Sequence, residues 1–258
     1  MKLYFRYLSI HLRGMMQHKL SFLLSSVGQL LNGATVLLGV YFMMRRFPTV
    51  AGFSYQEVLL CYAVVMSAFS LAEVFARGFD TFSSMIGNGE FDRMLVRPRS
   101  AIFQVLCARL ELTRGMKLLL SLFVLAYVVA TGNITWDGTR IFGLILMILG
   151  GALLFSGLFL VYAGFCFFTL EGLEFMNIFT DGGREMGRYP VSIYGRRLLR
   201  FFTFIVPLAC FQYYPFLYLT GRTDDIRFLL TPFACFLFLL PCYLFWRFGL
   251  RHYRSTGS

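Results

Sequence analysis

The chain has 258 residues, of which 58% are hydrophobic, 18% aromatic (31 of them Phe) and only 14% charged. Soluble proteins hold roughly 45–50% apolar and about 25% charged residues, so this excess has no aqueous fold to fill and the solvent must be a bilayer. A net charge of +11 with no polar surface to cluster on excludes a nucleic-acid binder and reads as the basic bias of membrane loops.

Residues 2–18 come first. Lys2, Arg6, Ser9, Arg13 and Gln17 recur at helical spacing as one polar stripe, with Tyr4, Phe5, Leu8, Leu12 and Met15 opposite. Such a basic amphipathic helix lies in the headgroup plane; the alternative is a longer first membrane helix with charged flanks. The apolar run 20–44 follows, with 25 residues. At 1.5 Å per residue it reaches about 37 Å, enough to cross ~30 Å of hydrocarbon and too long for the apolar region of a cleaved signal.

Further spans are expected at about 58–79, 110–130, 141–170, 201–219 and 228–248. The uninterrupted core of the third, 118–130, is only 13 residues long. Its helix must begin earlier, carrying Arg109, Glu111, Arg114 and Lys117 at the entry, where long side chains reach the interface. Pro207 and Pro215 break the fifth span, and Pro232 and Pro241 fall in the sixth. The expected architecture is all-α: a single polytopic transmembrane domain over 1–258, six transmembrane helices, an N-terminal amphipathic interfacial helix and a loop at 80–100.

Six spans place both termini on one side. Of the 24 Lys and Arg residues, 19 fall before the first span, in 77–117, in 184–200 and at the C-terminus (Arg247, Arg251 and Arg254). By the positive-inside rule both termini are cytoplasmic.

Within the fourth span, Gly143, Gly150, Gly157 and Gly164 recur every seven residues. They share one slowly drifting stripe, a groove where another helix can approach closely, unless the period is chance. In the first span, Gln29 and Asn32 sit one turn apart and either line a polar pathway or bond to another helix. Glu73 with Arg77, and Glu111 with Arg114, are spaced for ion pairs near helix ends. The six cysteines are scattered singly in or beside apolar runs and read as small hydrophobes. Neither GxxxxGK[ST], HExxH nor GxSxG occurs. No catalytic residue, metal site or cofactor of the chain's own is therefore expected. A secondary carrier or channel normally shows inverted repeats or ionisable groups at mid-membrane, and an intramembrane enzyme a nucleophile or acid–base constellation; neither signal is present.

Two stretches carry a resemblance. Residues 88–98, Asn-Gly-Glu-Phe-Asp-Arg-Met-Leu-Val-Arg-Pro, resemble the G-x-x-D-x-x-L-x-R-P segment of type-2 ATP-binding-cassette (ABC) exporter permeases. Arg188-Tyr189-Pro190-x-x-Ile193-Tyr194, then Thr203 to Pro207, then Tyr213-Tyr214-Pro215, is similar to a pattern in one bacterial subfamily of them. The resemblance implies a multi-pass subunit of the bacterial cell (inner) membrane, paired with an identical or homologous permease. Separate P-loop ATPases would carry the ATP and Mg, and an amphipathic or lipophilic cargo would move outward by alternating access. It also implies that Glu90, Phe91, Asp92, Arg93, Leu95 and Arg97 form a coupling helix on the ATPase, with Phe91 and Leu95 as exposed anchors. Arg188, Tyr189 and Tyr194 would be a second cytoplasmic contact.

Overall fold

Apolar runs free of breakers become helices, and local caps set where they start. A computed structural model of the chain describes residues 2–132, 134–169 and 174–254 and is 80% helical. The first helix, α1 (Lys2–Gln17), leads through a single residue into α2 (Lys19–Arg46). The side chains of Lys2 and Phe5 lie outside the described residues, so the expected amphipathic stripe is followed from Tyr4 onward. A two-residue hairpin, β1 (Thr49–Val50) and β2 (Phe53–Ser54), pairs Val50 with Phe53. Its turn places Ala51 and Gly52 at positive φ, the geometry that matches strand twist.

Ser54 then caps α3 (Tyr55–Asp80): its hydroxyl accepts from Glu57 N while Glu57 accepts from Ser54 N at 2.7 Å. The expected loop 80–100 is instead built of α4 (Phe82–Gly87) and α5 (Glu90–Leu95), separated by Gly89 at φ 66°. Next come α6 (Ala101–Ala108), a 3₁₀ turn (Leu112–Arg114), α7 (Gly115–Thr131) and α8 (Gly138–Cys166), the last capped by Asp137. The fourth span thus ends at Cys166; position 170 of the expected span lies outside the described residues.

Among the described residues, five helices are long and apolar enough to cross a membrane: Lys19–Arg46, Tyr55–Gly87, Leu112–Thr131, Gly138–Cys166 and Ile226–His252, which ends in α13 (Phe233–His252). Of the best apolar window of each, 89% is buried in α3 and 61% in α8, against 17% in α2, 28% in α7 and 22% in the last span. The bundle is therefore centred on α3, with α2, α7 and α13 turning apolar faces outward to lipid. This is an all-α, multi-pass membrane protein.

The fifth span departs from the expected 201–219. It is a pair: α10 (Arg196–Phe204), then a 93° bend, then α11 (Leu208–Gln212) and α12 (Tyr214–Leu219). Pro207 sits at the bend, where a residue without N–H costs least. Pro215 falls in the first turn of α12, Pro232 caps α13, and only Pro241 lies inside a helix.

The stretch before α10 corrects another expectation. Residues 184–200, read from the sequence as a cytoplasmic loop, are drawn partly into the bundle. In α9 (Asp181–Gly187), Gly187 lies against Val65, ten residues from the start of α3, and Gly183 against Leu208. Its charges cancel locally: Arg184 pairs with Asp181 at 3.0 Å and with Glu185 at 2.9 Å, and Arg188 pairs with the same Glu185. That pairing lowers the cost of partly covering the two guanidinium groups, while Asp181 and Glu185 stay exposed.

Candidate functional site

Two regions concentrate polar chemistry, and both hang on α3. The first is the α4–α5 turn. Phe91 is fully buried, ringed by Phe82 (centroids 4.8 Å apart), Tyr253 (5.2 Å), Phe167 (5.5 Å) and Trp246 (6.3 Å). It is an anchor pointing inward, not the exposed contact expected. The reason is the rest of the ring: α8 and α13 converge at this end and leave an aromatic cavity beneath α5.

Asp92 accepts from the Tyr253 hydroxyl at 3.1 Å. Burial, reinforced by that carboxylate, pushes the Tyr253 phenol up to about 12, so it stays protonated and donates throughout the neutral range. Glu90 faces Arg109 at 3.9 Å. Gln104 donates to the carbonyls of Met94 (2.9 Å) and Arg99 (3.0 Å), pinning the chain that leaves α5. What remains outward is Arg93, Leu95, Val96, Arg97 and Arg99, all exposed, Val96 at 84%. Three guanidinium groups around two aliphatic tips suit an acidic groove with an apolar floor. Val96 and Arg99 were not singled out from the sequence; their place directly after α5 was the available signal.

The second region is a charged seam between α3 and the entry to α7. Glu73 pairs not with Arg77, as the i, i+4 spacing suggested, but with Arg114 and with Lys117 at 3.9 Å. Arg77 turns to Asp80 and, at 3.7 Å, to Glu111. The expected Glu111–Arg114 pair is present. Arg184 of α9 lies 4.6 Å over the Phe69 ring, one turn from Glu73 along α3.

The expected second contact is placed elsewhere. Tyr189 donates to Met43 Sδ at 3.1 Å, near the hairpin end of α2, and Gln212, wholly buried on α11, donates to the carbonyls of Gly187 (3.3 Å) and Tyr189 (3.0 Å). Arg188 is bound to Glu185, and Tyr194, half-buried, closes the 3₁₀ turn before α10. Of the residues expected at a docking surface, Tyr189 thus ties the bent span in place, because Gln212, out of sight in local sequence, supplies an amide to its carbonyl. The motif's other parts also meet: Thr203 Oγ1 lies 3.1 Å from the Tyr214 hydroxyl.

The four glycines of α8 all face the last span. A Cβ at Gly143 would meet Leu229 at 2.5 Å, at Gly150 Pro232 at 2.9 Å, at Gly157 Leu239 at 3.2 Å and at Gly164 Phe245 at 2.6 Å. Gln29 is half-exposed and Asn32 exposed on the outward face of α2. All six cysteines are buried thiols, and among the described residues no three His, Cys, Asp or Glu gather as metal ligands.

A family model described as ABC-2 family transporter protein matches residues 30–257, from the middle of α2 to the end of the chain. No curated protein and no solved structure matches the chain.

Proposed function

Because the chain belongs to the ABC-2 transporter family, as a permease subunit that works with an ATP-binding subunit, we propose that it exports an amphipathic or lipophilic cargo by alternating access. The proposal extends to a bacterial cell membrane with both termini cytoplasmic, to ATP and Mg held by a separate P-loop ATPase, and to a second permease, identical or homologous. The observation that carries it is the outward face of α5 and residues 96–99, basic and aliphatic, backed by the buried Phe91 ring. A contact surface fixed from behind by α8 and α13 can deliver a push from a soluble partner to two membrane helices.

Arg93, Leu95 and Arg97 would touch the ATPase, while Glu90, Phe91 and Asp92 hold the helix in place. The aromatic spans favour a lipophilic cargo. Asn32 and Gln29 support the pairing, since amides facing hydrocarbon need a partner that a second permease or the pathway between two copies supplies.

The test is double charge reversal, Arg93→Glu with Arg97→Glu. Both side chains are exposed, so the thermal unfolding midpoint of the permease should stay put. Co-purification of its ATPase should fall by about tenfold or more, equivalent to ~1.4 kcal/mol. Full association and full transport in the double variant would remove the coupling role of α5.

A further inference from the structure

The seam between α3 and α7 is left incomplete in a systematic way. The two helices run antiparallel, with Ser67 Oγ donating to Ser121 Oγ at 3.0 Å and, nearer the α5 end, Glu73 paired to Arg114. Three buried polar atoms on the same face of α3 have no hydrogen-bond partner among the described residues: the Ser70 hydroxyl, Glu73 Oε2 and Arg77 Nε, the last within ionic reach of Glu111 at 3.7 Å. The second faces Lys117 Nζ at 3.9 Å, within ionic reach and outside hydrogen-bonding distance. Buried polar atoms inside a membrane bundle are seldom left so.

One movement gives the first two atoms partners in exchange for the bonds that Ser67 and Arg114 now make. If α7 advances three residues toward the α5 end, Lys117 comes opposite Glu73 and, by the same step, Ser121 comes opposite Ser70. The displacement is about 4.5 Å, the rise of three helical residues. Ser67, Ser70 and Ser121 are small, so the backbones can pass without collision. The chain entering α7 can take up the slack: residue 109 is extended and Leu112–Arg114 is a 3₁₀ turn, a frequent hinge geometry.

We infer that the α3–α7 seam is a joint with two registers, in which Glu73 gives up Arg114 and closes on Lys117 as Ser121 passes from Ser67 to Ser70. Glu73 and Lys117 are then positioning residues for the transport cycle. The joint lies directly beyond α5 in the chain, and Arg109, bound to Glu90, opens the strap that leads to Arg114. The driving force is ATP binding by the partner subunit, so this inference rests on the permease reading above.

The test uses cysteine pairs in a chain whose six native cysteines are replaced. Ser67→Cys with Ser121→Cys should cross-link readily without nucleotide, and Ser70→Cys with Ser121→Cys should do so poorly. With the ATPase present and the complex trapped by ATP, Mg and vanadate, the second pair should gain several-fold at the expense of the first. Oxidising the 67–121 pair should cut transport by tenfold or more, and reduction should restore it. Lys117→Gln should keep the nucleotide-free 67–121 cross-link and lose the trapped 70–121 cross-link. The joint is overturned if the 67–121 pair fails to form without nucleotide, if the oxidised pair transports normally, or if the 70–121 pair is equally slow in both conditions. A reduced, uncross-linked chain that shows no ATP-dependent transport with its ATPase counts against the permease reading instead.

Discussion

Phe91 is the residue whose role depends most on which way it points. Phe91 and Leu95 sit at i, i+4 in a six-residue helix, and nothing local separates an inward ring from an outward one. Its surroundings come from Phe82, Phe167, Trp246 and Tyr253, of which the last three lie far along the chain. Phe91→Ala should therefore act on stability before it acts on docking. Emptying a buried aromatic site costs ~3–5 kcal/mol where the surroundings do not collapse, and Phe91→Leu should cost clearly less. Thermal unfolding of the isolated permease in detergent measures this. A Phe91→Ala variant that unfolds like the parent yet releases the ATPase would return Phe91 to the contact surface. Leu95, 44% exposed, keeps the outward position its spacing suggested.

At the scale of elements, the α8–α13 seam and the half-buried α9 make opposite cases. The glycine period was readable in the sequence because a heptad spacing places every Gly on one helix face, whatever packs there. Its partner, the run from Leu229 through Pro232 to Phe245, was not readable. Replacing Gly150 or Gly157 with Leu should force α13 away, since a bare Cβ already comes within 2.9 Å and 3.2 Å of it. The folded yield on gel filtration should drop sharply for both. Ala at Gly157 should be mild, because Leu239 and Cys242 there are side chains that can yield by tenths of an ångström. Leu149→Ile, at an exposed site of the same helix, serves as control; normal yield of both Leu variants would make the period incidental. In α9 the reverse holds. Four charges within eight residues announce water on any local reading; Asp181 and Glu185 do stay exposed, but their pairing with Arg184 and Arg188, and Gln212 bonding the carbonyls of Gly187 and Tyr189, let the glycine face of the segment enter the bundle.

For the whole molecule, the proposed orientation rests on the basic bias, of which the C-terminal cluster sits beside α5 through the Tyr253–Asp92 bond. A cysteine at exposed Thr135 should react with a membrane-impermeant maleimide on intact cells, and one at Val96, 84% exposed beside α5, should react only after lysis. The reversed pattern would invert the orientation. Sequence by itself determined the solvent and the all-α, multi-pass class. Apolar run length and helical period are local properties that a bilayer enforces residue by residue. Only the tertiary structure decided the 93° bend at Pro207, the inward turn of Phe91, the entry of α9 and the pairing of Glu73 with Arg114 in place of Arg77. Each of these depends on partners remote in the chain, whose polar groups and cavities exist only once the helices have packed.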